Sequence, residues 1–233
     1  MMDYSGKHVV VTGGTGALGS AMVGLLLEAG AACTVPYVHE NGMERFAHRG
    51  NGKVKLVKVS DLADEAEVAR LFQGISPWAS IHIAGGFADG KVADTDKAAL
   101  MAQIDGNLVS CFLCCRAAVR AMQAAKQGGR IVNVAARPAL EQRSGAGMSA
   151  YTIAKSGVAA LTIALAEEVA KDGILVNAVA PSIIDTAANR KAMPKADFDQ
   201  WPKVEEVSAT ILFLASAYNK VTRGSVVPVY GKA

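Results

Sequence analysis

Apolar residues along this chain fall into two kinds of pattern. Val9–Val11, Cys33–Tyr37, Val54–Val59, Ile81–Ile83, Ile131–Val134, Leu175–Val179 and Ser225–Val229 are short runs, most of them rich in β-branched residues, and each predicts a strand. Between the runs, apolar residues recur at three- and four-residue spacing, which predicts helices. "SAMVGLLLEAG" carries Met22, Val23, Leu26 and Leu27 and closes at Gly30. "DEAEVARLF" follows the third strand with Glu65 and Glu67 in its first turn. Lys97–Gln127 reads as one or two helical segments striped by Ile104, Leu108, Cys111, Cys115, Val119 and Met122. Tyr151–Val169 predicts a long helix and Glu205–Ala215 a late one.

Near-continuous apolar strands are buried on both faces, and their alternation with helices means a parallel sheet. The expected fold is α/β: a doubly wound parallel sheet of Rossmann type with helices on both faces. There is no linker, repeat or low-complexity tract, so residues 1–233 read as a single domain.

Composition narrows the partners. Of the 233 residues, 51% are hydrophobic and 19% charged, enough for a substantial core. The net charge of +3 is scattered without a basic stripe, so no nucleic acid is expected. No uncharged apolar stretch reaches about 18 residues, so no membrane span is expected, and "MMDYSGKHVVVTGG" lacks the layout of a signal peptide. Cys111, Cys114 and Cys115 crowd one predicted helix, apart from Cys33. Their spacing permits metal ligation, but no companion Cys or His cluster stands elsewhere in the sequence. Core packing, no metal and a reducing cytoplasmic compartment are expected.

Gly14-Thr15-Gly16-Ala17-Leu18-Gly19 is a G-x-G-x-x-G between a predicted strand and a predicted helix. In that context glycines allow a tight turn, and helix N-terminal amides face a pyrophosphate. An acid ending the second strand would select NAD, but Tyr37, Val38 and His39 stand there, and Glu40 comes a turn late. No arginine stands there for a 2′-phosphate, so NADH and NADPH are not separated. Asp61, followed by Leu62, ends the third strand; its carboxylate can accept from an adenine amino group or cap a helix. Ala84-Gly85-Gly86 ends the fourth strand with small residues against which a cofactor can lie.

Tyr151 and Lys155 share one helix face at i and i+4. A phenol is a poor acid–base near neutral pH, and a neighbouring ammonium is expected to lower its pKa and make proton transfer feasible. The strand before this helix ends in Ala135 and Ala136.

These residues, with Thr12-Gly13, Asn107 and Pro181 through Thr186, resemble the short-chain dehydrogenase/reductase family along the whole chain. The resemblance implies an NAD(P)H-dependent oxidoreductase with Tyr151, Lys155 and Asn107 as catalytic residues, Asn107 holding a water in a relay with Lys155. It implies cofactor contacts at Gly13, Thr15, Gly16, Ala17, Leu18, Gly19, Tyr37, Asp61, Leu62, Ala84, Gly85, Gly86, Lys155, Pro181, Ile184 and Thr186. Ile184 and Thr186 would meet the nicotinamide carboxamide. The chain departs from the family at Ala17 and Ser182, where glycine is usual, and above all at Ala136, where a substrate-orienting serine is usual. Loss of one such donor costs about 10²–10³ in rate. Ser144 or Ser149 are the hydroxyls near enough in sequence to stand in.

A branch that lacks this serine is the dihydropteridine reductases. "GGTGALGS", "AGGF" and "DTAANRKAMPKADFDQW" from Asp185 to Trp201 are similar to that branch. The branch implies reduction of a quinonoid dihydropterin, a conjugated ring that does not need an isolated ketone polarised. Two alternatives stay open: a general carbonyl or alcohol oxidoreductase of the family, and a catalytically weak nucleotide-binding sensor or scaffold. Met193, Phe198 and Trp201 are expected to close a lid or pack an oligomer surface. A homodimer or homotetramer is expected, through the Ile104–Met122 stripe and Ile153, Val158, Leu161 and Leu165 of the Tyr151–Val169 helix.

Overall fold

A computed structural model describes residues 2–233. Seven strands form one sheet: β1 (His8–Thr12), β2 (Ala32–Tyr37), β3 (Val54–Lys58), β4 (Ala79–His82), β5 (Gly129–Val134), β6 (Ile174–Pro181) and β7 (Val226–Val229), in the order β3-β2-β1-β4-β5-β6-β7. Every pairing is parallel, so each of the seven expected strands is present and the doubly wound sheet is confirmed.

The helices are α1 (Ala17–Glu28), α2 (Glu40–Glu44), α3 (Glu65–Phe72), α4 (Lys97–Ile104), α5 (Ser110–Ala125), α6 (Arg137–Leu140), α7 (Ser149–Glu168), α8 (Ala187–Ala192) and α9 (Val204–Ala215). They enclose two apolar clusters, one on each face of the sheet. α3, α5 and α7 pack over Val10, Ile131, Val176 and Ala180. α1 and α9 pack over Val9, Val11, Val132 and Val179. Neighbouring residues of one strand therefore serve opposite cores, the two-sided burial that the continuous apolar runs implied.

Local chemistry places the helix starts. Asp64 caps α3 by accepting from the amides of Ala66 and Glu67, a contact usually worth about 1 kcal/mol. Asp96 caps α4 through Ala99. The Lys97–Gln127 reading resolves into α4 and α5 joined by a π-helical turn at Asp105–Val109. This rod, 97–125, and α7 are long and apolar enough by length and composition to cross a membrane, although each carries a charged residue within its apolar stretch, Asp105 in the rod and Lys155 in α7. Both instead lay one face on the sheet, burying Cys111, Cys115, Val119 and Met122 of α5 and Val158, Thr162 and Leu165 of α7.

Because β1 lies between β2 and β4, the chain winds in opposite directions from the sheet centre. A crevice opens at such a switch point, outside the C-terminal strand ends. The turns after β1, β4, β5 and β6 surround it.

Candidate active site

The turn after β1 is built from close backbone approach. Gly13 has φ +68°, and a Cβ there would lie 2.6 Å from the Ala84 amide. A Cβ at Gly14 would press on Val35, and one at Gly19 would collide with the main chain of Gly13. Ala84 N donates to Thr12 Oγ1 at 3.3 Å, so the turns after β1 and β4 share one wall. Gly16 is the N-cap of α1, has no side-chain cap and is exposed beside Ala17. The first amides of a twelve-residue helix thus remain free for an anion. Leu18 turns into the core, and Thr15 sits against Gly42.

The far side of this half is less committed. Tyr37 ends β2, half-buried, and His39 is the N-cap residue of α2. Glu40 pairs with Lys58 of β3 at 2.5 Å. Asp61 accepts from Ala63 N at 2.8 Å and closes its own turn, which is the local-cap alternative, while its exposed carboxylate keeps acceptor sites. Leu62 is buried in the core.

The other half gathers four elements. Asn107 lies in the π-helical turn and is 2% exposed. Its Nδ2 donates to Gly86 O and Gln103 O, each at 3.0 Å, and its Oδ1 accepts from Gly86 N at 3.3 Å. Gly85, at φ +158°, leaves no room for a side chain against that Oδ1. Tyr151 and Lys155 project from the N-terminal half of α7, with Lys155 Nζ 5.8 Å from the phenol ring centroid. Lys155 Nζ donates to Val134 O at 2.8 Å. The Phe87 ring meets Tyr151 edge-on at 5.1 Å.

Burial pushes the Lys155 ammonium down to about 8, opposed by the nearby Cys111 thiol, and pushes the Tyr151 phenol up to about 12. The lowering expected from the sequence rests on the ammonium together with a cationic nicotinamide; in the protein alone burial sets the direction. Desolvation outweighs the ammonium because Lys155 is itself buried and spends a proton on Val134. The phenol therefore stays protonated through neutral pH and is loaded as an acid.

Ala135 and Ala136 are buried where β5 gives way to α6. Ser144 spends its hydroxyl on Glu141 O, and Ser149 opens α7. Pro181 ends β6, buried, and beyond it Ile184 packs on the core. Thr186 caps α8 by accepting from Asn189 N, and Asn189 Nδ2 donates to Ile184 O. Arg190 pairs with Asp185 at 2.6 Å and stacks over Phe198, whose ring contacts Trp201. Trp201 is buried against its own loop. The sequence reading passed over Arg137 and Tyr230. Arg137 follows the serine-less position, pairs with Glu141 and lies over the Tyr230 ring at 4.9 Å. The tail joins the same wall, for Ser182 Oγ donates to Tyr230 O and Lys232 N to Gln200 O.

A parallel sheet with a glycine turn at its switch point, facing a Tyr–Lys helix, defines a dinucleotide-dependent oxidoreductase. The sequence model of the short chain dehydrogenase family matches residues 7–197, and the chain belongs to that family. It is 33% identical to galactitol 2-dehydrogenase of Rhizobium johnstonii over 96% of this chain and 93% of that one. It is 34% identical to cis-4-hydroxycyclohexanecarboxylate dehydrogenase of Sinomonas cyclohexanicum (98% and 96%). It is 30% identical to the 3-oxoacyl-(acyl-carrier-protein) reductase FabG of Pseudomonas aeruginosa (99% and 98%). A short chain dehydrogenase from Mycobacterium smegmatis superposes with a TM-score of 0.85 at 30% identity, covering 100% of this chain and 95% of its own. The family's cofactor is NAD(P)H, and the free α1 amides and the glycine cradle fit it.

Proposed function

We propose that this enzyme uses NAD(P)H to reduce a conjugated, polar ring substrate of the quinonoid dihydropterin type, with Tyr151 as proton donor. The observation that carries the reading is Ala136, buried at the end of β5 with no hydroxyl to polarise an isolated carbonyl. A ring already activated by conjugation does not need that donor. When bound, the dinucleotide supplies the hydride. Gly13 to Gly19 and the first turn of α1 would hold its pyrophosphate, and Ala84 to Gly86, Lys155, Ile184 and Thr186 its nicotinamide end.

Tyr151 gives its phenolic proton to the reduced substrate. Lys155 holds positive charge beside the resulting phenolate, and Asn107, fixed on Gly86, orients a water toward Lys155 for reprotonation. The exposed Phe87 ring beside Tyr151 offers an aromatic face to a planar substrate.

A second reading is reduction of a ketone or oxidation of an alcohol, as the names of the relatives indicate for those proteins, with another donor in place of the serine. A substrate panel separates the two: quinonoid dihydropterin against cyclic ketones, polyols and oxoacyl thioesters, each with NADH and NADPH. Turnover confined to the pterin supports the first reading; preference for ketones or alcohols removes it.

We also propose a homodimer or homotetramer. Of the expected seam, Val158, Leu165, Cys111, Cys115, Val119 and Met122 face the sheet, while Ile153 stays exposed. The apolar side chains left outside on these helices are Phe112, Ile153 and Ile163, each about half exposed. Four free, buried cysteines fit a reducing cytoplasm.

A further inference from the structure

Beneath Lys155, between the sheet and helices α5 and α7, lies a polar cluster that the proposed reaction does not use. His82 of β4 and Asn133 of β5 are register partners on adjacent strands. Cys111 and Cys115 stand one turn apart on the face of α5 that covers them. All four residues are at most 5% exposed. A ring nitrogen of His82 and the two sulfurs lie within 4.8 Å of one another. Cys115 Sγ is 3.4 Å from both His82 Nδ1 and Asn133 Oδ1, and that nitrogen and oxygen are 2.8 Å apart.

The surrounding hydrogen bonds orient these donors. Thr162 Oγ1 donates to Val158 O and so must accept from Asn133 Nδ2, at 2.9 Å. This turns the Asn133 amide oxygen into the cluster. Ser80 Oγ lies 2.8 Å from His82 Nε2 and can donate or accept.

We propose that His82, Cys111 and Cys115, with Asn133 Oδ1 as fourth donor, form a structural site for a soft divalent metal ion of the zinc type. Tetrahedral zinc bound at its usual N and S distances sets an N···S edge of about 3.5 Å, close to the spacing already present between His82 and Cys115. Two thiolates cancel the charge of a divalent ion, which a closed apolar core requires. Loading is balanced by release of the two thiol protons. Without metal, His82 Nδ1 donates its proton to Asn133 Oδ1; on loading, the imidazole changes tautomer, the proton moves to Nε2 and is donated to Ser80 Oγ, and Nδ1 and Asn133 Oδ1 both turn to the metal. With four protein donors the site offers no open position, so the ion ties β4, β5 and α5 together and activates no water.

The test is metal content of the whole protein, grown with zinc and purified under reducing conditions without chelator. The expected result is about one zinc per chain, with cobalt replacement giving a thiolate-to-cobalt charge-transfer band. Cys111→Ala, Cys115→Ala and His82→Asn should each lose metal and band. Cys114→Ala, a buried neighbour outside the cluster, should keep both. Should the three variants not fold, the wild type still decides: removing zinc lowers its unfolding midpoint and returning it restores the midpoint. Wild-type protein without stoichiometric metal or the cobalt band, or an unfolding midpoint indifferent to zinc, overturns the proposal and leaves a hydrogen-bonded network of thiols and imidazole.

Discussion

Lys155 Nζ donates to the carbonyl oxygen of Val134 at 2.8 Å, locking the helix that bears Tyr151 to the last residue of the strand that runs into Ala135 and Ala136. This bond holds a cation inside the protein, with consequences for both rate and stability.

Reduction needs the Tyr151 proton and the Lys155 charge. Tyr151 keeps its proton well above neutrality, while burial lets Lys155 lose its own near pH 8. Reductive kcat/KM should therefore fall along one descending limb centred near 8. A profile flat from pH 7 to 10 would contradict the role of Lys155.

Stability responds with a defined sign. The buried ammonium has a folded pKa of about 8 against an ordinary 10.5. Between those values the unfolded chain holds a proton that the folded chain has released, so stability rises with pH across that window. Lys155→Met removes the buried charge. It should stabilise the fold at pH 7 by at most about 3 kcal/mol, with the gap over wild type shrinking toward pH 10, measured by denaturant unfolding. A gap independent of pH would show that burial of this charge costs nothing.

Gly85→Ala places a methyl group against Asn107 Oδ1 at a backbone angle that only glycine adopts easily. Turnover should fall at least about tenfold through displacement of Asn107, with the unfolding midpoint little changed beyond the ordinary loss at such a glycine. Activity equal to wild type would release Asn107 from the proposed relay.

Ala136→Ser restores a hydroxyl at the strand end. Ketone reduction should rise, by up to about 10²–10³ if the donor is fully aligned, while turnover of the conjugated ring changes little. An unchanged ketone rate would mean that something other than the missing hydroxyl excludes ketones.

The sheet was legible in the sequence because each strand is apolar on both faces, so Val9 and Val10 both read as core although they serve opposite clusters. The long helices were legible from their spacing. Helices α2, α6 and α8 were not, since four to six residues carry too little periodicity. The glycine turn, Tyr151, Lys155 and Asn107 could be read because short local patterns carry them. The upward shift at Tyr151 could not, because desolvation belongs to the packed state. His82 was invisible as a neighbour of Cys111 and Cys115 for a different reason: a strand and a helix far apart in sequence bring it there. The inward turn of Val158 and Leu165 depended on which face of α7 the sheet takes.

The central claim is that Tyr151 carries the proton. Tyr151→Phe keeps the ring that Phe87 contacts and removes only the hydroxyl. Steady-state reduction by this variant, measured beside a cofactor titration, is the most direct test. The account predicts at least about a hundredfold loss of kcat, the low end of what a positioned acid contributes, with cofactor affinity near wild type. Turnover within a fewfold of wild type would contradict it.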